Sequence, residues 1–140
     1  MAKCLLLVDD DPRNLLALAA LLAPEGFRLV HAHDGRAAVA AFEEVRPDLV
    51  LCDLAMPGMD GIEVLQRIRA HQSAAHTPFI LVTAHTDRDC RLRALRAGAD
   101  EFIEKPIDRA VLEARVRGLL RLKESRDALD RAHSELTRRH

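Results

Sequence analysis

The sequence predicts an α/β domain in which helices cover a parallel β-sheet. Short apolar runs suited to buried strands recur at residues 4–8, 27–31, 48–52, 79–83 and 101–103, and segments with helical spacing lie between them. Such alternation is typical of parallel βαβ units. At 140 residues the chain is long enough for one domain whose core needs no disulfide or structural metal.

The first three intervening segments carry helix start signals followed by apolar stripes. Asp11-Pro12, Asp34-Gly35 and Asp60-Gly61 predict the helix starts, because aspartate is a common N-cap and proline is favoured at the first helical position. Asp11 is therefore interpreted as a cap and not as a ligand. The side chains predicted to face the sheet are Leu15, Leu18 and Leu22, then Val39, Phe42 and Val45, then Ile62, Leu65 and Ile68.

The fourth helix has the weakest apolar stripe. It is predicted from about Asp87 to Ala97 and should end at Gly98, a residue type that often follows a helix. Its apolar positions are Cys90, Ala94, Leu95 and Ala97. We expect this helix to be the most loosely held of the five.

The fifth helix should begin at Asp108 and continue for about 30 residues, because no proline occurs before the chain ends at His140. Two interpretations of its last part are open. A solvated, frayed helix is one of them. The other is a two-stranded coiled coil, because leucine recurs every seven residues and the last one lies far beyond the reach of a compact core. In the coiled coil, the line of contact between the two helices would contain Leu122, Leu129 and Leu136. The alternate positions of this line, which we call the seam, are Leu119, Arg126 and His133.

The coiled-coil interpretation divides the chain in two. We predict a domain over residues 1–120 and an extension of the fifth helix over residues 121–140. A homodimer would then form through residues 119–140.

Composition argues against several classes of partner. The formal net charge is −1, from 21 basic and 22 acidic residues, so no overall field attracts nucleic acid or an anionic membrane. Tryptophan and tyrosine are absent, which removes the usual base-stacking platforms. No apolar stretch approaches the length of a membrane span. Three unclustered cysteines, Cys4, Cys52 and Cys90, are typical of reduced core residues. Together these features predict a cytoplasmic protein.

Polar side chains follow four of the predicted strands. Asp9 and Asp10 follow the first strand, Asp53 the third, Thr83 the fourth and Lys105 the fifth. In an open parallel sheet, ligands bind outside the carboxyl ends of the strands. We therefore expect these five side chains to form one site.

The charges of this site point to a metal ion and a phosphoryl group. Carboxylates about 4 Å apart repel by roughly 4 kcal/mol at an effective dielectric near 20, so a cation is needed. Mg²⁺ prefers carboxylate, carbonyl and water oxygens and leaves positions for phosphate. Lys105 adds a second positive charge and Thr83 a hydroxyl donor. Since neither His nor Ser is next to Asp53 to act as a base, this carboxylate is itself the candidate nucleophile, and an aspartyl phosphate is the implied product.

With these residues, the chain resembles the receiver domains of bacterial response regulators from residue 3 to about residue 120. The resemblance implies a flavodoxin-like (βα)5 three-layer sandwich with strand order 2-1-3-4-5. It places the family's acidic pair on Asp9 and Asp10, its phosphoacceptor on Asp53, its hydroxyl residue on Thr83 and its lysine on Lys105.

The resemblance also implies a ligand set and a switch. Mg²⁺, or Mn²⁺, would be held by Asp10, Asp53 and the backbone carbonyl of Ala55, with Asp9 acting mainly through water. Thr83 and Phe102 would be the residues that move on activation.

Three further positions have family counterparts. A cis peptide bond is implied between Lys105 and Pro106. Ala55 and His85 occupy positions that affect how long the phosphoryl group lasts. For His85, a role beside the phosphoryl group and a solvated loop position are both open.

The function implied is a phosphorylation switch and not an enzyme. A histidine kinase or a phosphotransfer protein would donate a phosphoryl group to Asp53. Phosphorylation would change the face formed by the fourth helix, the fifth strand and the fifth helix. The terminal helix would transmit this change to a partner or to an output domain following His140. No nucleic acid or membrane contact is expected for this segment.

Two other functions stay open, and one is excluded. A phosphatase of the haloacid-dehalogenase type would use Asp9 as the nucleophile and Asp11 as the acid/base, but it would leave Asp53 without a role. A dimerisation scaffold independent of phosphorylation would not need the complete set of site residues. A flavin-binding protein of the same topology is excluded, because its phosphate loop would be Asp9-Asp10-Asp11, which repels phosphate.

Overall fold

The structure, a computed structural model, describes residues 2–71, 74, 76–84 and 88–138. Within these residues the chain alternates between strand and helix. The strands are β1 (Cys4–Val8), β2 (Arg28–Ala32), β3 (Leu49–Asp53), β4 (Phe79–Thr83) and β5 (Glu101–Glu104). The helices are α1 (Pro12–Leu22), α2 (Gly35–Val45), α3 (Gly61–Arg69), α4 (Arg88–Ala97) and α5 (Arg109–Arg138), with a short 3₁₀ helix at Ala23–Glu25. Every predicted strand is present within one residue of its predicted bounds.

The strands form one parallel sheet in the order β2-β1-β3-β4-β5. This is the flavodoxin-like order, so the predicted fold class is confirmed. The chain goes from β1 outward to β2 and then returns to the other side of β1 to form β3. The order therefore reverses at β1 and β3, and the carboxyl ends of these strands mark the place where such sheets bind ligands.

Helices cover both faces of the sheet, because successive strand residues point to opposite sides. Leu5 and Leu7 of β1 belong to one buried cluster with residues of α1 and α5. Leu6 and Val8 belong to a second cluster with residues of α2, α3 and α4. Each fully buried leucine of this kind contributes roughly 1.5–3 kcal/mol. The result is the predicted three-layer sandwich.

Aspartates cap the helices that lead away from the carboxyl ends of the strands. Asp34 and Asp60 accept hydrogen bonds from the backbone N–H groups of Ala37 and Glu63. Asp11 and Asp108 cap α1 and α5 in the same way, each through an N–H two residues further along. Each cap is worth about 1 kcal/mol. The predicted starts of α1, α2, α3 and α5 are therefore confirmed; Asp87, the predicted start of α4, lies outside the described residues.

The predicted inward faces are confirmed for α1 and α3 but only partly for α2 and α4. In α2 the buried residues are Gly35, Ala38 and Phe42, while Val39 and Val45 are half-buried. The inward face thus includes Gly35 and Ala38, and Gly35 lies so close to Met59 that only a small residue fits there. In α4 the prediction for Leu95 is wrong, because this side chain is 55% exposed and Ala94 alone is fully buried among the helix residues.

Helix α5 is 30 residues long and extends beyond the core, as predicted. Leu112, Val116 and Leu120 pack against the sheet, and Leu120 is the last buried residue among the side chains that the structure describes, which end at residue 136. Beyond it, Nζ of Lys3 lies 2.9 Å from Oε1 of Glu124. His76 makes two similar contacts with the next turns. Its Nδ1 lies 3.3 Å from carboxylate oxygens of both Asp127 and Asp130.

Two smaller expectations concern cysteines and membranes. Cys4 and Cys52 are buried free thiols and Cys90 is a half-buried one, in agreement with the prediction of reduced core cysteines. Burial raises the pKa of the Cys52 thiol far above its usual value. Among the described residues, no helix combines the length and the apolar character needed to cross a membrane.

Candidate functional site

The parallel register brings the predicted site residues to one edge of the sheet. Val8 is paired with Cys52, so Asp9 follows β1 at the level where Asp53 ends β3. Asp53 is paired with Val82, and Thr83 ends β4 one residue later. The backbone N–H of Lys105 donates to the carbonyl of Thr83 at 2.8 Å.

The carboxylates of Asp9, Asp10 and Asp53 form a compact cluster. One oxygen from each lies within 4.8 Å of the others. Asp9 and Asp53 are buried, while Asp10 is exposed. Oδ1 of Asp9 also accepts a hydrogen bond from the backbone N–H of Asp11 at 2.9 Å, which fixes the orientation of the Asp9 carboxylate. An all-oxygen donor set of this kind fits Mg²⁺ and not a metal that prefers sulfur or imidazole.

Lys105 supplies positive charge to the same cluster. Its Nζ lies 3.3 Å from Oδ1 of Asp53 and 3.7 Å from Oδ2 of Asp9. The peptide bond between Lys105 and Pro106 is cis, as the family resemblance implied. One lysine thus partly neutralises two buried carboxylates.

The cluster retains excess negative charge. Burial raises the pKa of Asp53 above its ordinary value, and the neighbouring Asp9 raises it further. Lys105 opposes both effects without cancelling them. A buried, incompletely neutralised carboxylate fits a site whose charge is completed by a cation.

We expect Asp53→Asn to raise the free energy of unfolding at pH 7 by on the order of 1 kcal/mol in a chelator-containing buffer. Because the folded pKa of Asp53 lies above the unfolded one, the folded state binds more protons between the two values. Wild-type stability therefore falls as pH rises through that window. The extra free energy of unfolding of Asp53→Asn should be fully present above the raised pKa of Asp53 and should disappear below the ordinary value of 3.8.

Urea unfolding of both proteins at several pH values measures this difference. Asp34→Asn is the matched control, because Asp34 is an exposed helix cap and asparagine caps equally well. Equal stability of Asp53→Asn and wild type at pH 7 would contradict the electrostatic description of the site.

The turn after β3 holds Asp53 in place. The N–H of Leu54 donates to the carbonyl of Val82, and the N–H of Gly61 donates to the carbonyl of Leu54, both at 2.9 Å. Ala55 is exposed within this turn, two residues after Asp53. The first residue of α3, Gly61, lies directly against the Asp53 carbonyl. The position of Asp53 therefore depends on a close contact between two backbone segments.

Three further predicted residues, Thr83, Phe102 and His85, are not part of the carboxylate cluster itself. Thr83 is buried at the end of β4, at the same edge as the carboxylates. Phe102 is paired with Leu81 in the sheet and is half-buried against the cluster of α2, α3 and α4. Its backbone carbonyl accepts a hydrogen bond from the guanidinium of Arg115 of α5. His85 lies outside the described residues.

A mostly apolar cleft of about 340 Å³ opens beside the acidic cluster. Its walls include Asn14, Leu18 and Leu21 of α1 and Ile107, two residues before α5. The helical spacing of α1 predicts Leu18 as a core residue and indicates no role for Asn14. Nothing in the local pattern shows that these residues border the site, because the cleft is formed by segments about 90 residues apart.

Comparison with known proteins decides the family. A family model described as the response regulator receiver domain matches residues 5–117. The chain belongs to this family. The resemblance stated from the site residues is thereby confirmed, and the chain is a receiver domain of two-component signalling.

Curated relatives are longer than this chain. The response regulator PleD of Caulobacter vibrioides is 40% identical over 123 residues, which are 88% of this chain and 27% of PleD. The DNA-binding response regulator MtrA of Mycolicibacterium smegmatis is 41% identical over 128 residues, which are 91% of this chain and 55% of MtrA. The receiver domain thus spans about a quarter to about a half of these relatives.

Solved structures support the same family. The receiver domain of the sensor histidine kinase PA1611 of Pseudomonas aeruginosa matches with a TM-score of 0.79 and 32% identity. The match covers 86% of this chain and 98% of that one. That structure has a magnesium ion coordinated in its active-site cleft.

Proposed function

We propose that this receiver domain accepts a phosphoryl group on Asp53 from the phosphohistidine of a histidine kinase or a phosphotransfer protein. The observation that carries the proposal is the position of the Asp53 carboxylate. It is buried at the end of β3, lies 3.3 Å from Nζ of Lys105 and is clustered with Asp9 and Asp10.

The proposed transfer is a direct displacement at phosphorus. A carboxylate oxygen of Asp53 forms the new P–O bond while the P–N bond to the donor imidazole breaks, and its electron pair returns to the imidazole nitrogen. Lys105 donates to a phosphoryl oxygen from its position beside Asp53. The hydroxyl of Thr83 donates to another.

The acidic cluster has the donors for Mg²⁺, or Mn²⁺ in its place. Asp10, Asp53 and the backbone carbonyl of Ala55 would hold the ion, with Asp9 beside them. Such a cation neutralises phosphoryl oxygens and so lowers the electrostatic cost of transfer. Two observations support this assignment: the magnesium ion in the PA1611 receiver cleft and the all-oxygen cluster of this chain.

The proposed switch couples Thr83 to Phe102. Movement of Thr83 toward the phosphoryl group would allow Phe102 to rotate inward and would change the face formed by α4, β5 and α5. The weak attachment of α4, of which Ala94 alone is buried, supports this proposal. The terminal part of α5 would pass the change to a partner or to an output domain following His140.

The lifetime of the phosphoryl group is a separate part of the proposal. Ala55 has no side chain that could orient water toward the phosphorylated aspartate. His85 is the other position that we propose to affect this lifetime.

Phosphorylation is tested by incubating the chain with acetyl phosphate and Mg²⁺ and measuring intact mass. We expect the mass of one phosphoryl group to be added to wild type, none to Asp53→Asn, and none to wild type with excess chelator. Asp60→Asn is the matched control and should be labelled like wild type, because Asp60 caps α3 and asparagine retains that cap. Equal labelling of Asp53→Asn and wild type would refute the assignment.

The phosphatase alternative is disfavoured by the surroundings of Asp11. Its carboxylate accepts hydrogen bonds from the backbone N–H and the guanidinium of Arg13. These bonds hold the pKa of Asp11 below its ordinary value, which does not suit a general acid. Hydrolysis of a phosphate ester that survives Asp53→Ala and is lost in Asp9→Asn would support that alternative instead.

A further inference from the structure

We infer that a second copy of this chain packs in parallel against the leucine stripe of α5, defined as Leu122, Leu129 and Leu136. The inference concerns the oligomeric state of the unphosphorylated protein and does not depend on the proposed phosphorylation of Asp53.

The stripe is exposed within the single chain. The relative exposures of Leu122, Leu129 and Leu136 are 44%, 70% and 57%. Leu119, which the sequence analysis placed in the same seam, packs against the core of the receiver instead. The unpartnered apolar surface therefore begins at Leu122, where the helix leaves the domain.

The opposite side of α5 is the one attached to the receiver. Glu124 contacts Lys3, and Asp127 contacts His76. At about 100° per residue, Asp127 lies about 140–160° around the helix from Leu122 and Leu129. With these contacts on the side that faces the domain, and with Val116 and Leu120 packed into the core, the leucine stripe lies away from the domain, where nothing in the described chain covers it.

The seven-residue repeat of the stripe favours a helix as its occupant, and a second copy of α5 carries the same repeat. A strict seven-residue repeat stays in contact only with another helix that supercoils around it. A parallel twofold pair places each leucine of the stripe against its own copy. An antiparallel pair, in which the alternate seam positions face each other, would instead place Leu122 and Leu129 opposite His133 and Arg126 of the second copy. The parallel arrangement is therefore the one that buries the leucines together.

The first test is sedimentation equilibrium of the 140-residue chain over a range of micromolar concentrations. We expect dimeric wild type and a dissociation constant raised about 100-fold or more by Leu129→Lys, because one substitution removes two buried leucines and each contributes about tenfold or more. Leu16→Lys is the matched control, since Leu16 is 68% exposed on α1 and should leave the dimer unchanged. A monomeric wild type would overturn the inference, and so would a dimer that is lost in Leu95→Lys but kept in Leu129→Lys.

The second test determines the orientation of the pair. Leu136→Cys in a Cys90→Ser background should form a disulfide-linked dimer on mild oxidation, because Leu136 faces its own copy only in a parallel pair. Leu16→Cys in the same background controls for random collision. A dimer in which Leu136→Cys cross-links no faster than Leu16→Cys would overturn the parallel arrangement.

Discussion

Replacing Gly61 by alanine is expected to lower the free energy of unfolding by roughly 2–4 kcal/mol. A Cβ at this position would lie 2.5 Å from the backbone oxygen of Asp53 and 2.9 Å from Cα of Leu54. Both neighbours are backbone atoms, so a side-chain rotation cannot relieve the overlap. The turn after β3 would have to move, and the Asp53 carboxylate would move with it. Urea unfolding measures the loss of stability, and acetyl phosphate labelling measures the effect on the site.

Gly118→Ala is the matched control for this prediction. A Cβ at Gly118 would meet no atom within 4 Å, and the residue lies in the middle of α5. Alanine there should raise the free energy of unfolding by about 0.5–1 kcal/mol, because glycine is a poor helix former. If both substitutions changed stability in the same direction and by similar amounts, the close contact at Gly61 would not be the cause.

Replacing Arg69 by methionine should lower the free energy of unfolding by about 3–5 kcal/mol, the usual cost of breaking a largely buried ion pair. The Arg69 guanidinium donates to the backbone carbonyls of Ala74, Thr77 and Gly98 and to the carboxylate of Asp100. Its side chain is only 21% exposed. Without it, the Ala74 carbonyl and the Asp100 carboxylate keep hydrogen bonds from the N–H groups of Thr77 and Phe79. The carbonyls of Thr77 and Gly98 lose the guanidinium donor, and each buried unsatisfied group costs about 1–3 kcal/mol.

The consequences of this substitution should reach two parts of the fold. Arg69 joins the end of α3 to the segment before β4 and, through Gly98, to the end of α4. Arg67→Met is the control: Arg67 is 59% exposed and lies 3.9 Å from Glu63, so its loss should change stability by less than about 0.5 kcal/mol. Equal free energies of unfolding in urea for Arg69→Met and Arg67→Met would show that the four hydrogen bonds do not hold these segments together.

Much of the acidic site could be predicted because strand-end positions can be identified in the sequence. Asp9, Asp53 and Thr83 each follow or end an apolar run, and a parallel sheet brings such positions to one edge. Lys105 joined them for the same reason. The contact of His76 with Asp127 could not be predicted, because no periodicity relates residues 51 positions apart.

Two departures from prediction concern which helix residue enters the core. Leu95 belongs to the apolar stripe of α4 by spacing, yet it is exposed and Ala94 is the buried residue of this helix. In α2, Ala38 is buried and Val39 is not, and Gly35 lies so close to Met59 that only a small residue fits there. Spacing along a helix identifies its apolar positions, but packing against neighbours in space decides which of them is buried.

The sequence by itself identified the residues that gather at the carboxyl edge of the sheet, because strand-end positions follow from local patterns and from the geometry of parallel sheets. The family and the strand order followed from the resemblance that those residues carry. Tertiary structure decided which side of α5 faces the domain. Leu112, Val116 and Leu120 of α5 pack into the core, Lys3 and His76 contact its acidic side, and the leucines that the heptad pattern identified lie on the outward side. A repeat along a helix specifies a stripe, but the orientation of that stripe depends on packing against the rest of the domain, which only the folded chain brings together.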